Sequence, residues 1–317
     1  MLKIGIMLPQ EWERGQIQPV EAYETMTRVA QEAETLGVSS VWLFDHTLST
    51  NVPQPQLANQ MLFECWTSTA AIARDTKRIR VGQMATNNAF RNPALLAKMA
   101  STVDVLSHGR LDLGIGAGWY EQEFVSYGYS FPGKATLLRQ FREALQIIKA
   151  MWTEEEVYFE GKYYHVRGAI NQPKGVQKPH IPLVVAGKGE QVTLKLVARY
   201  ADACNFTHPS PEELIQKLAL LKRYCQEIGR DEREIRRTIY VNGFIGETDV
   251  EAIAKAKAIL SKFSLDQVRV RGLLGSPATV RQRLHEWEQL GVQEVIIFMR
   301  DIARLEPLRL LAQCMIQ

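Results

Sequence analysis

Residues 79–119 read IRVGQMATNNAFRNPALLAKMASTVDVLSHGRLDLGIGAGW, and the reading of this stretch decides the fold. Ile79 to Thr86 is a largely apolar run of strand length. Pro93 to Leu106 places apolar residues at helical spacing, with Pro93 in the first turn, where its missing N–H is harmless. Leu111 to Ile115 is apolar again. Strand, helix and strand follow one another, and neither strand is polar enough to face water, which is the signature of a parallel sheet covered by helices.

The same unit recurs in both directions along the chain. Upstream lie the strands Lys3–Leu8 and Ser39–Phe44 and the helices Pro19–Leu36, closed by Gly37, and Leu62–Arg74. Downstream come the helix Leu137–Trp152 and the strands Leu183–Ala186, Ala203–Phe206, Ile239–Ile245 and Glu294–Phe298, each followed by a helical segment. Eight strand-helix pairs predict an α/β fold, a (β/α)8 TIM barrel forming one domain over 1–317. The competing architecture is a doubly wound sheet in two lobes, whose first turn would carry G-x-G-x-x-G; here that turn is MLPQEWERG, residues 7–15. Two segments exceed the minimal barrel. Residues 153–180, between strands four and five, contain YFEGKYY, which predicts a hairpin turning at Glu160-Gly161, and then a loop with Pro173 and Pro179. An extra helix is expected before strand eight, with Ser276 as N-cap and Pro277 at N1, running to Leu290.

Composition narrows the function. With 46% apolar and 23% charged residues the chain is an ordinary globular one, and 38 Lys and Arg against 35 Asp and Glu leave a net +3 without a basic block, so no nucleic-acid partner is expected. No apolar stretch approaches the roughly 20 residues of a membrane span. Ile4 to Leu8 is too short for a signal core, and no secretory leader is expected. Cys65, Cys204, Cys225 and Cys314 are scattered, without metal-ligand spacing, and read as reduced thiols of a cytoplasmic protein.

In such a barrel the chemistry belongs at the carboxyl ends of the strands. Strand two ends in Asp45-His46, strand three in Thr86-Asn87-Asn88, strand four in GIGAGW at 114–119, strand five in Gly187-Lys188-Gly189 and strand six in Thr207-His208. His46 is suited to proton exchange with a substrate oxygen or a cofactor ring, although Asp45 as a cap and His46 as a loop histidine fit the two residues equally well. The glycines of GIGAGW are spaced by two, unlike a dinucleotide fingerprint; they admit a flat ring against the backbone with Trp119 as a wall, or they turn a tight corner around a buried Trp119. The Gly187–Gly189 turn opens a helix and presents free N–H groups with Lys188 beside them, a setting for phosphate, or it is a plain strand-to-helix turn. GYSFPGKA at 128–135 has P-loop spacing, but Ala135 stands where the metal-binding hydroxyl should be. No zinc or nucleophile-elbow motif is present, and no metal site is expected.

The segments VWLFDH (41–46), ECWTSTAAIARDTKRIRVG (64–82), FRNPALLAKMASTVDVLSHGRLDLGIGAGW (90–119), YEQEFVSYGYSFP (120–132) and VAGKGEQVTLKLVARYADACNF (185–206) carry a resemblance. The chain resembles the luciferase-like monooxygenase superfamily, and within it the coenzyme F420-dependent (deazaflavin) oxidoreductases. The resemblance implies a cofactor lying across the carboxyl end of the barrel, with Asp45 hydrogen-bonded to its ring system and His46 facing the substrate as acid or base. It implies that Met84, Ala85, Thr86 and Asn88 lie along the ring, with a bulge and a non-prolyl cis peptide at or next to Ala85. Gly118 and Trp119 would touch the ring or ribityl chain, and Gly187, Lys188, Gly189 and Gln191 would hold the phosphate. A homodimer acting on a small-molecule substrate is implied as well.

Three departures qualify the resemblance. Trp119 stands where sugar-phosphate dehydrogenase members carry a glutamate, which argues against glucose 6-phosphate. The insertion near strand five is shorter than in long-chain monooxygenases. Lys188 replaces a small residue in the phosphate turn. The functional expectation is hydride transfer between coenzyme F420 and a small organic molecule; the alternatives are an FMN-dependent monooxygenase using O2 and a flavin-binding barrel without turnover. Gln10, Trp12, Trp119, Tyr120 and Asn242 are the candidates for the substrate-pocket wall.

Overall fold

Each apolar run pairs in parallel with its neighbour. In the computed structural model, which describes residues 2–260 and 264–315, eight strands close into a ring: β1 (Lys3–Met7), β2 (Ser40–Leu43), β3 (Arg80–Gln83), β4 (Leu111–Gly116), β5 (Leu183–Ala186), β6 (Ala203–Thr207), β7 (Arg236–Ile245) and β8 (Glu294–Phe298). Strand β4 pairs with β5 and so joins the two halves, while β8 pairs with both β7 and β1 and closes the barrel. The helices are α1 (Pro19–Thr35), α2 (Cys65–Asp75), α3 (Pro93–Leu106), α4 (Glu121–Ser126), α5 (Lys134–Thr153), α6 (Thr193–Tyr200), α7 (Pro211–Glu227), α8 (Asp249–Ile259), α9 (Leu265–Arg271), α10 (Pro277–Gln289) and α11 (Glu306–Met315).

Alternate residues of each strand face opposite sides. Outward-facing Ile6, Val41, Val81, Leu113 and Val185 are buried against the helices, packed with Met26, Ile72 and Leu96. Burying one such side chain stabilises the fold by about 1.5–3 kcal/mol, so the barrel-helix layer dominates stability. Inside the ring Met7, Trp42, Val184, Ala203 and Ile296 form a second core. Trp42 fills the waist because its neighbours lack side chains: a Cβ on Gly82 would lie 2.5 Å from the indole, and one on Gly5 would lie 2.8 Å from its Nε1.

The end of β3 shapes the site above. Gly82 pairs with Asp112, but Thr86 pairs with Ile115, so β3 spends one residue more than β4 over the same span, a bulge. The Met84–Ala85 peptide within it is cis, as the resemblance implied for this position. The bulge drives the Gln83 carbonyl towards Gly114, where a Cβ would stand 1.7 Å from that oxygen. Gly114→Ala must therefore displace backbone, and overpacking of this kind costs about 1–3 kcal/mol or more. A thermal melt of that variant is expected to show a Tm several degrees below that of the parent protein.

Four readings need adjustment. Strand β3 stops at Gln83 and resumes only for Thr86–Asn87, where an unbroken run to Thr86 was expected. Helix α2 starts at Cys65, not Leu62, because Gln60–Leu62 pairs antiparallel with Glu11–Glu13 and Glu64 caps the helix by accepting from Trp66 and Thr67 N–H. The hairpin Val157–Glu160/His165–Ala169 turns through Gly161–Tyr164, later than expected, because the N–H groups of Lys162, Tyr163 and Tyr164 converge on the buried Glu143 carboxylate of α5. Between β7 and β8 the chain adds α8, α9 and a short strand, Leu273–Gly275, as well as α10; Ser276 stands at the N-cap of α10, but its side chain makes no cap bond.

Candidate active site

The strands deliver a mouth with an apolar floor and a mixed rim. Phe44, Met84, Tyr240 and Phe298 sit half-buried on the inner core, Tyr240 midway along β7 and the others at or just past the ends of β2, β3 and β8. Gly116 and Ala186 are half-buried beside them, and an added Cβ on Gly116 would meet nothing closer than the Ala186 carbonyl at 3.6 Å. A flat ring can therefore approach the backbone at this strand end.

His46 follows the apolar strand β2 directly, and its ring is held by a residue the strand-end reading did not single out. Nδ1 lies 3.0 Å from both carboxylate oxygens of Glu123, on the short helix α4. The Glu123 side chain is fully buried and also accepts the backbone N–H groups of Thr47, at 2.7 Å, and Leu48, at 3.1 Å. Among these donors the Glu123 carboxylate is the acceptor for Nδ1–H, which leaves Nε2 as the second nitrogen of the ring. Nε2 has no protein partner among the described residues, and the ring is 23% exposed. The signal for Glu123 was the segment YEQEF at 120–124: Phe124 beside it is wholly buried, so α4 turns this part of its surface inward.

Trp119 resolves one open reading. Its ring is 58% exposed, stacks on Tyr120 at 5.3 Å and stands edge-on to His46 at 5.9 Å, so it walls the mouth and does not fill a core corner. Gly118 precedes it with φ +87, and a Cβ there would meet Asn87 Oδ1 at 2.5 Å, so the turn that projects Trp119 requires glycine.

Several of the expected ligand residues also hold protein partners. Asp45 is buried, and both of its oxygens are taken: Oδ2 accepts Asn87 N–H at 2.9 Å and Arg91 Nη1 at 2.5 Å, while Oδ1 accepts Arg91 Nη2 at 3.1 Å. Burial alone would lower the Arg91 pKa, but the Asp45 carboxylate beside it holds it raised and the cation in place. Thr86 is fully buried and accepts Trp66 Nε1–H, and Asn88 is fully buried with Nδ2 towards the Tyr164 hydroxyl at 3.4 Å. The side chains of Asp45, Thr86 and Asn88 thus also brace the loop after β3, while Asn88 Oδ1 is buried without a protein partner among the described residues. Gln10 is likewise a pin and no pocket wall: buried, it donates to the carbonyls of Phe44 and Phe63 and accepts Phe44 N–H. Trp12 packs edge-on against Phe63 at 5.8 Å. Asn242 is half-buried on β7.

Across the mouth, the turn after β5 leaves Lys188, Gly189, Glu190 and Gln191 exposed, with no protein acceptor for their backbone N–H groups among the described residues. Gly187 N–H points to the Asn205 carbonyl at 3.4 Å. Helix α6 begins at Thr193, so its dipole adds positive potential to that of Lys188. His208, at the end of β6, packs on Tyr240 and has its pKa lowered to about 4 by burial and by the nearby Lys188 and Arg271. Because the unfolded imidazole binds a proton near pH 6.5 and the folded one resists until about pH 4, stability falls as pH drops through that window. His208→Asn is expected to flatten this limb of a Tm-versus-pH curve; an unchanged limb would place the acid sensitivity elsewhere.

Among the described residues no group of three His, Cys, Asp or Glu is arranged to hold a metal ion, and no helix is long and apolar enough to cross a membrane. Residues 2–272 match the family model of luciferase-like monooxygenases. An uncharacterised protein of Mycobacterium tuberculosis is 31% identical over 65% of this chain and 76% of its own length. An F420-dependent glucose-6-phosphate dehydrogenase of Kineococcus radiotolerans is 30% identical over 72% of this chain and 66% of its own length. Among solved structures, an F420-dependent secondary alcohol dehydrogenase in complex with an F420-acetone adduct superposes with a TM-score of 0.83 over 99% of this chain and 98% of that one, and at 18% identity this likeness speaks for the fold. With the barrel closed and the match extending over most of its length, the chain belongs to the luciferase-like monooxygenase family and is an oxidoreductase.

Proposed function

We propose that the protein is a coenzyme F420-dependent oxidoreductase that exchanges a hydride with a small organic substrate, His46 carrying the accompanying proton. The observation that carries this reading is the His46–Glu123 pair: an imidazole fixed in one tautomer by a fully buried carboxylate, with its second nitrogen available at the mouth. The F420-dependent relatives support the choice of cofactor.

The residues present fit such a group. Gly116 and the half-buried Met84 and Ala85 leave a flat surface for a tricyclic ring, Trp119 offers a side wall, and the unpaired N–H groups of 188–191 with Lys188 suit a phosphate. When bound, the deazaflavin supplies the hydride-exchanging carbon. The chain does the remainder. Nε2 of His46 takes the proton from a substrate hydroxyl in oxidation or returns it to a carbonyl oxygen in reduction. Glu123 holds the ring and offsets the charge it gains. Asp45, through Arg91 and Asn87 N–H, keeps the loop after β3 in register beneath the ring site, so we assign it a positioning role. Trp119 in place of the glutamate of sugar-phosphate dehydrogenases speaks for a substrate other than glucose 6-phosphate. We further propose that the protein acts in the cytoplasm as a homodimer; four buried, unpaired cysteines fit a reducing compartment.

A second reading, an FMN-dependent monooxygenase, needs a dry cavity around its reactive oxygen species. The exposed Trp119 and half-exposed floor favour the first. Turnover of candidate alcohols and carbonyl compounds with F420, run with and without oxygen, tests the choice: oxygen-independent turnover is expected, and an absolute oxygen requirement would establish the second reading.

A further inference from the structure

Residues 187–191 read GKGEQ, and the turn they form gathers positive potential from its exposed N–H groups and from the start of α6. Glu190 sets a negative charge in the middle of it. Helix α6 has no side-chain cap of its own, because Val192 stands at the N-cap and offers no acceptor. Its first residue, Thr193, is only 6% exposed, and its hydroxyl has no partner among the described residues. That hydroxyl faces the turn: a Cβ on Gly189 would stand 2.8 Å from it. An anion from outside the chain would supply the acceptor that these groups lack.

Helix α7 closes the other side of the turn. Leu214 and Leu221 are buried in the main core, and Lys217 lies three residues after the first and four before the second, on the same face of the helix. Its stem is covered, with 12% of the side chain exposed, and its ammonium reaches back to the turn. Nζ donates to the Lys188 carbonyl at 3.2 Å and to Glu190 Oε1 at 2.9 Å. Both contacts bear on an anion. The C=O and N–H of a trans peptide point in opposite directions, so a Lys188 carbonyl drawn towards α7 turns the Gly189 N–H away from it. The Glu190 carboxylate, drawn to the same ammonium, is held on the α7 side with its charge offset.

We propose that Lys217 is a positioning residue for the phosphate of the cofactor: it orients the Lys188–Gly189 peptide and withdraws the Glu190 carboxylate from the donors of its own turn. Without the ammonium, Glu190 is both a competing acceptor for those N–H groups and a like charge beside the phosphate. No contact between Lys217 and the phosphate is required. The inference rests on the reading of the 187–191 turn as the phosphate site, and it is tested by binding, without turnover.

The probes are two pairs, coenzyme F420 against its phosphate-free deazaflavin-ribityl core and FMN against riboflavin, with binding to the purified full chain followed by fluorescence. The phosphate-bearing member is expected to bind the parent protein roughly tenfold or more tightly than its partner. Lys217→Met should remove most of that advantage and leave the phosphate-free member within about twofold of its parent affinity. Glu190→Gln should keep the advantage or enlarge it, and Lys217→Met combined with Glu190→Gln should recover most of what Lys217→Met loses. A merely structural lysine would weaken both members alike and would not be repaired by the second substitution. An unchanged advantage in Lys217→Met, equal losses for both members, a loss in Glu190→Gln, no recovery in the double variant, or no phosphate advantage in either pair would overturn the proposal. The pairs separate the two ideas: the expected pattern with FMN and riboflavin alone would uphold the role of Lys217 and sink the F420 reading.

Discussion

His46→Ala is expected to lower turnover by about 10²- to 10⁴-fold while leaving the affinity for the deazaflavin within a few-fold of the parent value. General acid-base catalysis by one positioned side chain contributes a factor of that order. The proposed cofactor contacts lie at the ends of β3 and β4 and on the turn after β5, whereas Nε2 has no protein partner among the described residues. The substitution also takes the Nδ1–H donor from the buried Glu123 carboxylate, which keeps the Thr47 and Leu48 N–H groups, so a thermal melt of the variant separates a loss of stability from a loss of chemistry. Single-turnover kinetics and a cofactor titration on the same variant check the claim. Equal losses in rate and in cofactor affinity would make His46 a wall of the cofactor site and not its proton carrier.

The second large effect belongs to Glu123. Glu123→Gln keeps the shape but replaces an acceptor with a group that can also donate, so Nδ1 is no longer compelled to carry the proton, and the lone pair on Nε2 is lost from part of the population. A fall in turnover of about 10²-fold or more is expected by analogy with other carboxylate-oriented histidines. A purely structural role would lower stability and rate together at every pH. A positioning role makes a further demand: turnover should fall while the melting temperature and the affinity for the deazaflavin stay close to the parent values. A reduced rate with matching losses in stability and cofactor affinity would contradict the role. Glu123→Ala is a poorer test, since it strands the N–H groups of Thr47 and Leu48, at about 1–3 kcal/mol for each buried unsatisfied group.

The barrel was legible because period and length agree along the chain. The runs at Lys3, Ser40, Leu111, Leu183, Ala203 and Glu294 became strands within a residue or two of their expected limits, and Pro93 opens α3 with Asn92 capping it. What the sequence concealed has identifiable physical causes. The bulge in β3 inserts a single residue, and hydrophobic patterning cannot register one residue in a strand whose both faces are buried. The short Glu11–Glu13/Gln60–Leu62 ladder pairs segments nearly 50 residues apart, and its propensities are ordinary on both sides.

The site was legible as a set of strand ends and less so as roles. His46, Trp119 and the Gly187–Gln191 turn all reach the mouth. Asp45 lies past the end of β2 and Thr86 and Asn88 past that of β3, and nothing in a residue's identity reveals that a carboxylate at a strand end will also find an arginine 46 positions later. Glu123 was missed for the converse reason. It lies 77 residues from His46, on a six-residue helix outside the strand-end pattern, and only the fold brings the two together.

The most direct test of the central claim is a fluorescence titration of the purified protein with coenzyme F420 and, separately, with FMN. Saturable binding of F420, markedly tighter than that of FMN and weakened in Lys188→Ala, is the predicted result. Tight FMN binding with no measurable binding of F420 would contradict it.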